Sequence, residues 1–227
     1  MHTGVPLWRH NRGKGRGNSM NKATTNLVIT AIAGQGITLM TRVLSEALAA
    51  EGVKVVSTDF PPPGQRLTAG WSNIRWGEKV YAEQICDGDA DFLVGLDRIE
   101  AFRVAIRYAA DDCLVLMNES IVPRPLAPPK LESTFGWHHP TLDDILSCFK
   151  RCGINNVKHF DATKLAREET GTHLTVNAVM LGAGCASGMF PVKEKTMENA
   201  IAGSVPPKML ELNLKAFRTG VEKFKAL

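Results

Sequence analysis

The stretch from Leu27 to Gly52, LVITAIAGQGITLMTRVLSEALAAEG, constrains the fold more than any other part of the chain. An apolar, β-branched run stops at Ala33-Gly34-Gln35-Gly36, and helical spacing begins at once with Met40, Val43, Leu44, Ala47 and Leu48. This order predicts a strand, a tight glycine loop and a helix over about 37–51, with Gly52 as its C-cap. Such a junction points unpaired backbone N–H groups and the positive end of a helix dipole at one spot, which suits an anion. Val53–Ser57 (VKVVS) then reads as a second strand, completing a βαβ unit with parallel strands expected.

Phe60-Pro61-Pro62-Pro63-Gly64-Gln65-Arg66 breaks the pattern, because proline rings cannot continue a helix or a central strand. It is expected to be a long loop at the carboxyl end of strand two, the edge where open α/β sheets bind ligands. Trp71–Trp76 and Lys79–Ala82, split by Gly77-Glu78, read as a β-hairpin insertion. Phe92–Leu96, Cys113–Asn118 and Val157–Phe160 read as further strands, with helices over 98–110 and 143–151. Helices are also expected at 172–188, 193–203 and 206–225. The fold class is therefore α/β: a Rossmann-like, mostly parallel sheet with a β-hairpin insertion and a helical C-terminal part. One domain is expected over 20–227, after a disordered basic tail over 1–19.

Charge narrows the function. Four of the 27 basic residues, Arg9, Arg12, Lys14 and Arg16, fall within the first 20 positions; the remaining 23 face 23 acidic residues. The domain is formally neutral and lacks the basic footprint of a nucleic-acid binder. No apolar run reaches the length of a membrane span. No apolar h-region stands near the N-terminus, so a cytoplasmic protein is expected. Its five cysteines (Cys86, Cys113, Cys148, Cys152 and Cys185) show no C-x-x-C and read as reduced thiols.

The glycine loop leaves three readings open. Aligned with the dinucleotide fingerprint through Gly36, it has Ala31 and Ala33 in place of the first two glycines, and Asp59 falls 23 residues later, near the position of a ribose-binding acid. It is also consistent with an anion site of another kind, or with a turn that merely packs the helix on the sheet. Gln65-Arg66 and Arg75 are expected at the same sheet edge, where arginine suits phosphate or carboxylate. Arg75 also fits a solvent-facing position in the hairpin. Trp137-His138-His139-Pro140 does not make a metal site, since adjacent histidines in extended chain point apart. No G-x-S-x-G, P-loop or H-E-x-x-H is present.

Residues 25–222 resemble the gamma-type subunit of 2-oxoacid:ferredoxin oxidoreductases, most nearly the beta subunit of the indolepyruvate-type enzymes. The matching pieces, in order, are Ala33-Gly34-Gln35-Gly36, Val43-Leu44-Ser45-Glu46-Ala47, Gln65-Arg66 and Asn73-Ile74-Arg75-Trp76-Gly77. They continue with Ala90-Asp91-Phe92-Leu93, Glu100-Ala101-Phe102-Arg103, Asn177–Ala183 and Asn213–Gly220. Where that family has Gly-Gly-Gln-Gly, this chain has Ala33 first. Where it often has His-Gly-Met before Gln-Arg and Gly-Gly after, this chain has Pro62-Pro63-Gly64 and Leu67-Thr68-Ala69.

The resemblance implies a subunit for coenzyme A-dependent oxidative decarboxylation of a 2-oxoacid, with ferredoxin reduced. It implies that Gly34, Gln35, Gly36, Gln65, Arg66 and Arg75 line a ligand edge in possible contact with coenzyme A. Iron–sulfur clusters need cysteine thiolates in set runs, and this chain has no such run and no Gly-Asp-Gly thiamine signature. Thiamine diphosphate and 4Fe-4S clusters are therefore expected in an alpha-type partner subunit, with ferredoxin reached through the complex. The alternatives are a stand-alone NAD(P)-binding dehydrogenase and a purely structural assembly subunit.

Overall fold

The computed structural model describes residues 23–60, 68–122 and 139–227. Strand β1 (Thr25–Ile32) lies inside the sheet, and its apolar run is buried on both faces. Leu27, Ile29 and Ala31 join one core cluster and Val28 the other. Helix α1 (Ile37–Ala50) buries the five residues whose spacing predicted it. It stops in a Schellman turn: Gly52 takes φ +77°, its N–H reaches Ala49 O, and the N–H of Val53 reaches Leu48 O.

The chain continues through β2 (Val55–Phe60), β3 (Ala69–Trp76), β4 (Ala90–Gly95), α2 (Arg98–Tyr108) and β5 (Ala109–Asn118). Next come α3 (Leu142–Arg151), β6 (Val157–Phe160), α4 (Ala162–Thr170), α5 (Val176–Ala186), α6 (Glu194–Ser204) and α7 (Leu210–Lys225). The six strands form one sheet in the order β2-β3-β1-β4-β5-β6. Neighbouring pairs from β1 through β6 on that side are parallel, and β3 alone runs against its neighbours.

The hairpin is placed differently from the expectation. Trp71–Trp76 is a strand, but its hairpin partner is β2, and β3 enters the sheet between β2 and β1. The residues 79–82 are not a strand. Gly77, at φ +131°, turns the chain toward the start of β1, where the N–H of Lys79 meets Ala23 O and Lys79 O accepts from Thr24 Oγ1. The β1-α1-β2 unit is present, yet its two strands are not neighbours.

Helices cover both faces. The face of Leu27, Ile29, Val94 and Leu116 packs against α1, α5, α6 and α7; the face of Val28, Leu93, Val115 and Met117 packs against α2 and α3. Helix α5 is buried from Val176 to Gly184, which explains its nearly unbroken apolar composition. Two glycines set its distance from α7. A Cβ at Gly182 would fall on the carbonyl oxygen of Phe217, and one at Gly220 on that of Val179. The tail over 1–19 lies outside the described residues.

Candidate functional site

Strand order reverses at β1: the chain passes from β1 to the β2 side of the sheet and later returns to β4 on the other side. Crevices at such a reversal, beyond the carboxyl ends of the strands, are the usual ligand sites of open α/β sheets. A cleft of about 290 Å³ lies there, lined by Ala33, Gly34 and Gln35 after β1, Ser120 to Val122 after β5, and Thr163, Arg167 and His173.

The glycine loop is built by the backbone. Gly34 takes φ +100° and Gly36 φ +81°, conformations that L side chains rarely adopt. Gly36 is the N-cap of α1, and no side chain caps that helix. The first N–H groups of α1 thus have no intrahelical partner and no capping oxygen from a side chain. The N–H of Ala33 donates to Thr68 O at 2.9 Å, so the end of the loop between β2 and β3 lies against the glycine loop.

Gln35 has a different place from that of a free ligand group. Its Oε1 accepts the N–H of Ile32 at 2.8 Å, and its Nε2 donates to Leu96 O at 2.9 Å. The side chain is a strut between the ends of β1 and β4. Asn118, fully buried at the end of β5, donates to the same Leu96 carbonyl at 2.8 Å and to Thr163 Oγ1 at 2.9 Å. Its Oδ1 accepts the N–H of Ala162 at 2.9 Å, at the start of α4. Two amides thereby lock three strand ends and one helix terminus into a floor for the cleft.

Arg75 is not at this edge. It stands opposite Asn26, while the residue opposite Ala31 is Gly70. At about 3.4 Å per residue, that puts Arg75 roughly 17 Å from Ala31 along the strand, at the amino end of β1, with the glycine loop further on still. Its guanidinium donates to Asn26 Oδ1 at 2.8 Å, Ala82 O at 2.7 Å and Gln84 O at 3.1 Å, tying down the segment after β3. Gln65 and Arg66 lie outside the described residues. Asp59 sits on β2, one whole strand removed from β1, and its Oδ1 accepts from Ser72 Oγ at 2.5 Å. The strand inserted between them separates that carboxylate from the glycine loop, unlike the adjacent strands of a dinucleotide fold.

The residues that sequence spacing missed are Ser120, Thr163, Arg167 and His173. They follow β5 or belong to the α4–α5 segment, and only the strand order places them beside Gly34. Among the described residues no group of three or more His, Cys, Asp or Glu side chains is arranged to hold a metal ion. Trp71 stacks on Phe60 and Trp76 on Phe92, as packing residues do.

Comparisons with known proteins cover nearly the whole chain. Residues 26–223 match the family model described as pyruvate ferredoxin/flavodoxin oxidoreductase. A relative from Thermococcus kodakarensis, indolepyruvate oxidoreductase subunit IorB, is 33% identical over 202 residues, spanning 89% of this chain and 96% of the relative. Its namesake from Pyrococcus horikoshii is 32% identical over the same shares. Among solved structures, the gamma subunit of keto/oxoacid ferredoxin oxidoreductase from Geobacter sulfurreducens superimposes with a TM-score of 0.66 at 22% identity, covering 90% of this chain and 98% of that one. The 2-oxoglutarate:ferredoxin oxidoreductase of Magnetococcus marinus, solved with 2-oxoglutarate, coenzyme A and succinyl-CoA bound, gives 0.63 at 17% identity; the match covers 91% of this chain and 32% of that one.

Proposed function

This chain belongs to the pyruvate ferredoxin/flavodoxin oxidoreductase family, and from that premise we propose that it is the subunit of an indolepyruvate-type 2-oxoacid:ferredoxin oxidoreductase that carries no redox cofactor. The observation that carries this reading is the match to the IorB relatives along 96% of their length. The complex would convert a 2-oxoacid, coenzyme A and two oxidised ferredoxins to acyl-CoA, carbon dioxide, two reduced ferredoxins and a proton. Thiamine diphosphate supplies carbanion stabilisation and iron–sulfur clusters carry single electrons. The five cysteines here are not spaced for a cluster, so both groups belong to an alpha-type partner subunit.

The role left to this chain is to bind and orient. Its carboxyl-edge cleft, with Gly34, Gln35, Arg167 and His173, would take the phosphates of coenzyme A beside the Gly36 end of α1 and present the thiol to the partner's active site. Arg66 is assigned the same role because Gln65-Arg66 matches the Gln-Arg pair of the family. Residues 20–227 act as one domain in this reading. No helix among the described residues is long and apolar enough to cross a membrane, in keeping with a cytoplasmic complex.

The test is reconstitution. The chain is tagged in its host, purified without oxygen and assayed for indolepyruvate-dependent dye reduction. A brown partner containing thiamine diphosphate, with activity that needs coenzyme A, is expected. Recovery of the chain alone and colourless, with NADH binding on titration, would replace this reading with the dehydrogenase. Within the active complex, Arg66→Ala should raise the KM for coenzyme A while decarboxylation persists; an unchanged KM would remove Arg66 from the site.

A further inference from the structure

A buried amide stands against the glycine loop, next to the wall of the cleft. Asn177 lies in the first turn of α5, one residue after Val176 in the cleft wall, and is only 4% exposed. Its Oδ1 accepts the N–H of Ala178 at 2.9 Å, which fixes the orientation of the amide. Nδ2 therefore faces the other way, toward Gly36: it lies 2.6 Å from where a Cβ at Gly36 would stand. No described residue accepts a hydrogen bond from it.

The uncapped N-terminus of α1 is at the same spot. Gly36 is its N-cap, so the dipole of a 14-residue helix and the donor of Asn177 converge on one small volume. Glycine at 36 serves both features, since it permits the positive φ and leaves room for the amide. An oxygen acceptor with negative charge suits the helix terminus and the Nδ2 donor together.

We propose that Asn177 contacts the ligand directly, its Nδ2 donating to a phosphate oxygen held at the N-terminus of α1. This rests on the coenzyme A reading above and adds a residue to it. Gln35 then acts as a positioning residue, because both ends of its amide are already bonded within the protein. The same chemistry would accept a free phosphate or diphosphate, so the test separates these sources.

The experiment uses the assembled complex with Asn177→Ala and the nearly isosteric Asn177→Asp. Losing one hydrogen bond to a charged group should raise the KM for coenzyme A about tenfold in Asn177→Ala. Asn177→Asp, which sets a carboxylate against the phosphate, should raise it further. The KM for the 2-oxoacid should change far less than that for coenzyme A in both. Pyrophosphate should compete with coenzyme A in the native complex, a measurement that needs no variant, and should compete less well in Asn177→Asp. Inhibition by pyrophosphate that coenzyme A does not relieve would place a free anion there and overturn the proposal.

A changed KM for the 2-oxoacid alone would likewise overturn it. If Gly36→Ala raises the KM for coenzyme A and the Asn177 variants do not, the role of Asn177 fails and the cleft reading stands. If Gly36→Ala, Arg66→Ala and Asn177→Asp all leave it unchanged in an active complex, the cleft reading itself fails.

Discussion

At the scale of single residues, amide side chains do most of the positioning. Gln35 and Asn118 both end on the carbonyl of Leu96. Removing either leaves buried backbone groups without partners, at a cost of about 1–3 kcal/mol. Gln35→Ala should lower the melting temperature of the complex and also raise the KM for coenzyme A, whereas a loss of stability with unchanged KM would make the strut purely structural. Because each amide still satisfies the shared Leu96 carbonyl when the other is lost, the double variant should cost more than the two single effects combined.

A second residue-scale expectation concerns Cys185. Burial, aided by the charge of Glu194, pushes its thiol up to about 11, and Sγ lies 3.4 Å from Val192 O. At pH 8 this thiol is protonated and a poor nucleophile. Mapped by mass spectrometry, alkylation should reach the exposed Cys86 well before Cys185; equal rates would contradict this. Sequence spacing already marked Gly34 and Gly36 as backbone-limited positions. It could not mark Asn177 as a donor, because a single asparagine in an apolar helix carries no pattern of its own.

At the scale of elements, the α5–α7 pair and the inserted strand decide the architecture. Alanine usually stabilises an exposed helix interior relative to glycine. At Gly182 and Gly220 the sign should reverse, because the added methyl would meet a carbonyl of the other helix. Gly182→Ala or Gly220→Ala should cost about 3 kcal/mol or more, since two backbones must move apart. Denaturant midpoints of the complex check this, and a gain in stability would refute the close approach. Helix α1 was legible from its apolar spacing and its glycine caps. The pairing of β3 was not: Trp71–Trp76 is flanked by β2 on one side and a turn at Gly77 on the other, and either neighbour satisfies the local hairpin pattern. The choice rests on the buried edge of β1, which needs a hydrogen-bonded partner along its length.

At the scale of the whole molecule, ion pairs fasten the outer helices to each other. The hydroxyl of Thr196, 2.5 Å from Glu51 Oε1, and the N–H of Lys193 hold the Glu51 carboxyl below its usual range. The Arg218 guanidinium, 2.7 Å away, does the same for Glu198. Carboxylates depressed in this way contribute stability above their unfolded pKa and lose it as pH falls through the folded one. Stability should therefore decline from about pH 4 downward, and Thr196→Val should flatten part of that decline; an unaltered acid limb would mean the link between α1 and α6 contributes nothing. The sequence by itself determined the α/β class, the glycine loop and its helix, and the neutral charge of the domain, since each depends on local spacing or on composition. Only the tertiary structure decided that β3 separates Asp59 from that loop, that Arg75 sits at the opposite edge, that Arg167 and His173 line one cleft with Gly34, and that Asn177 stands against Gly36. Those relations depend on strand order, and strand order follows from which buried edges pair across long separations rather than from any local signal.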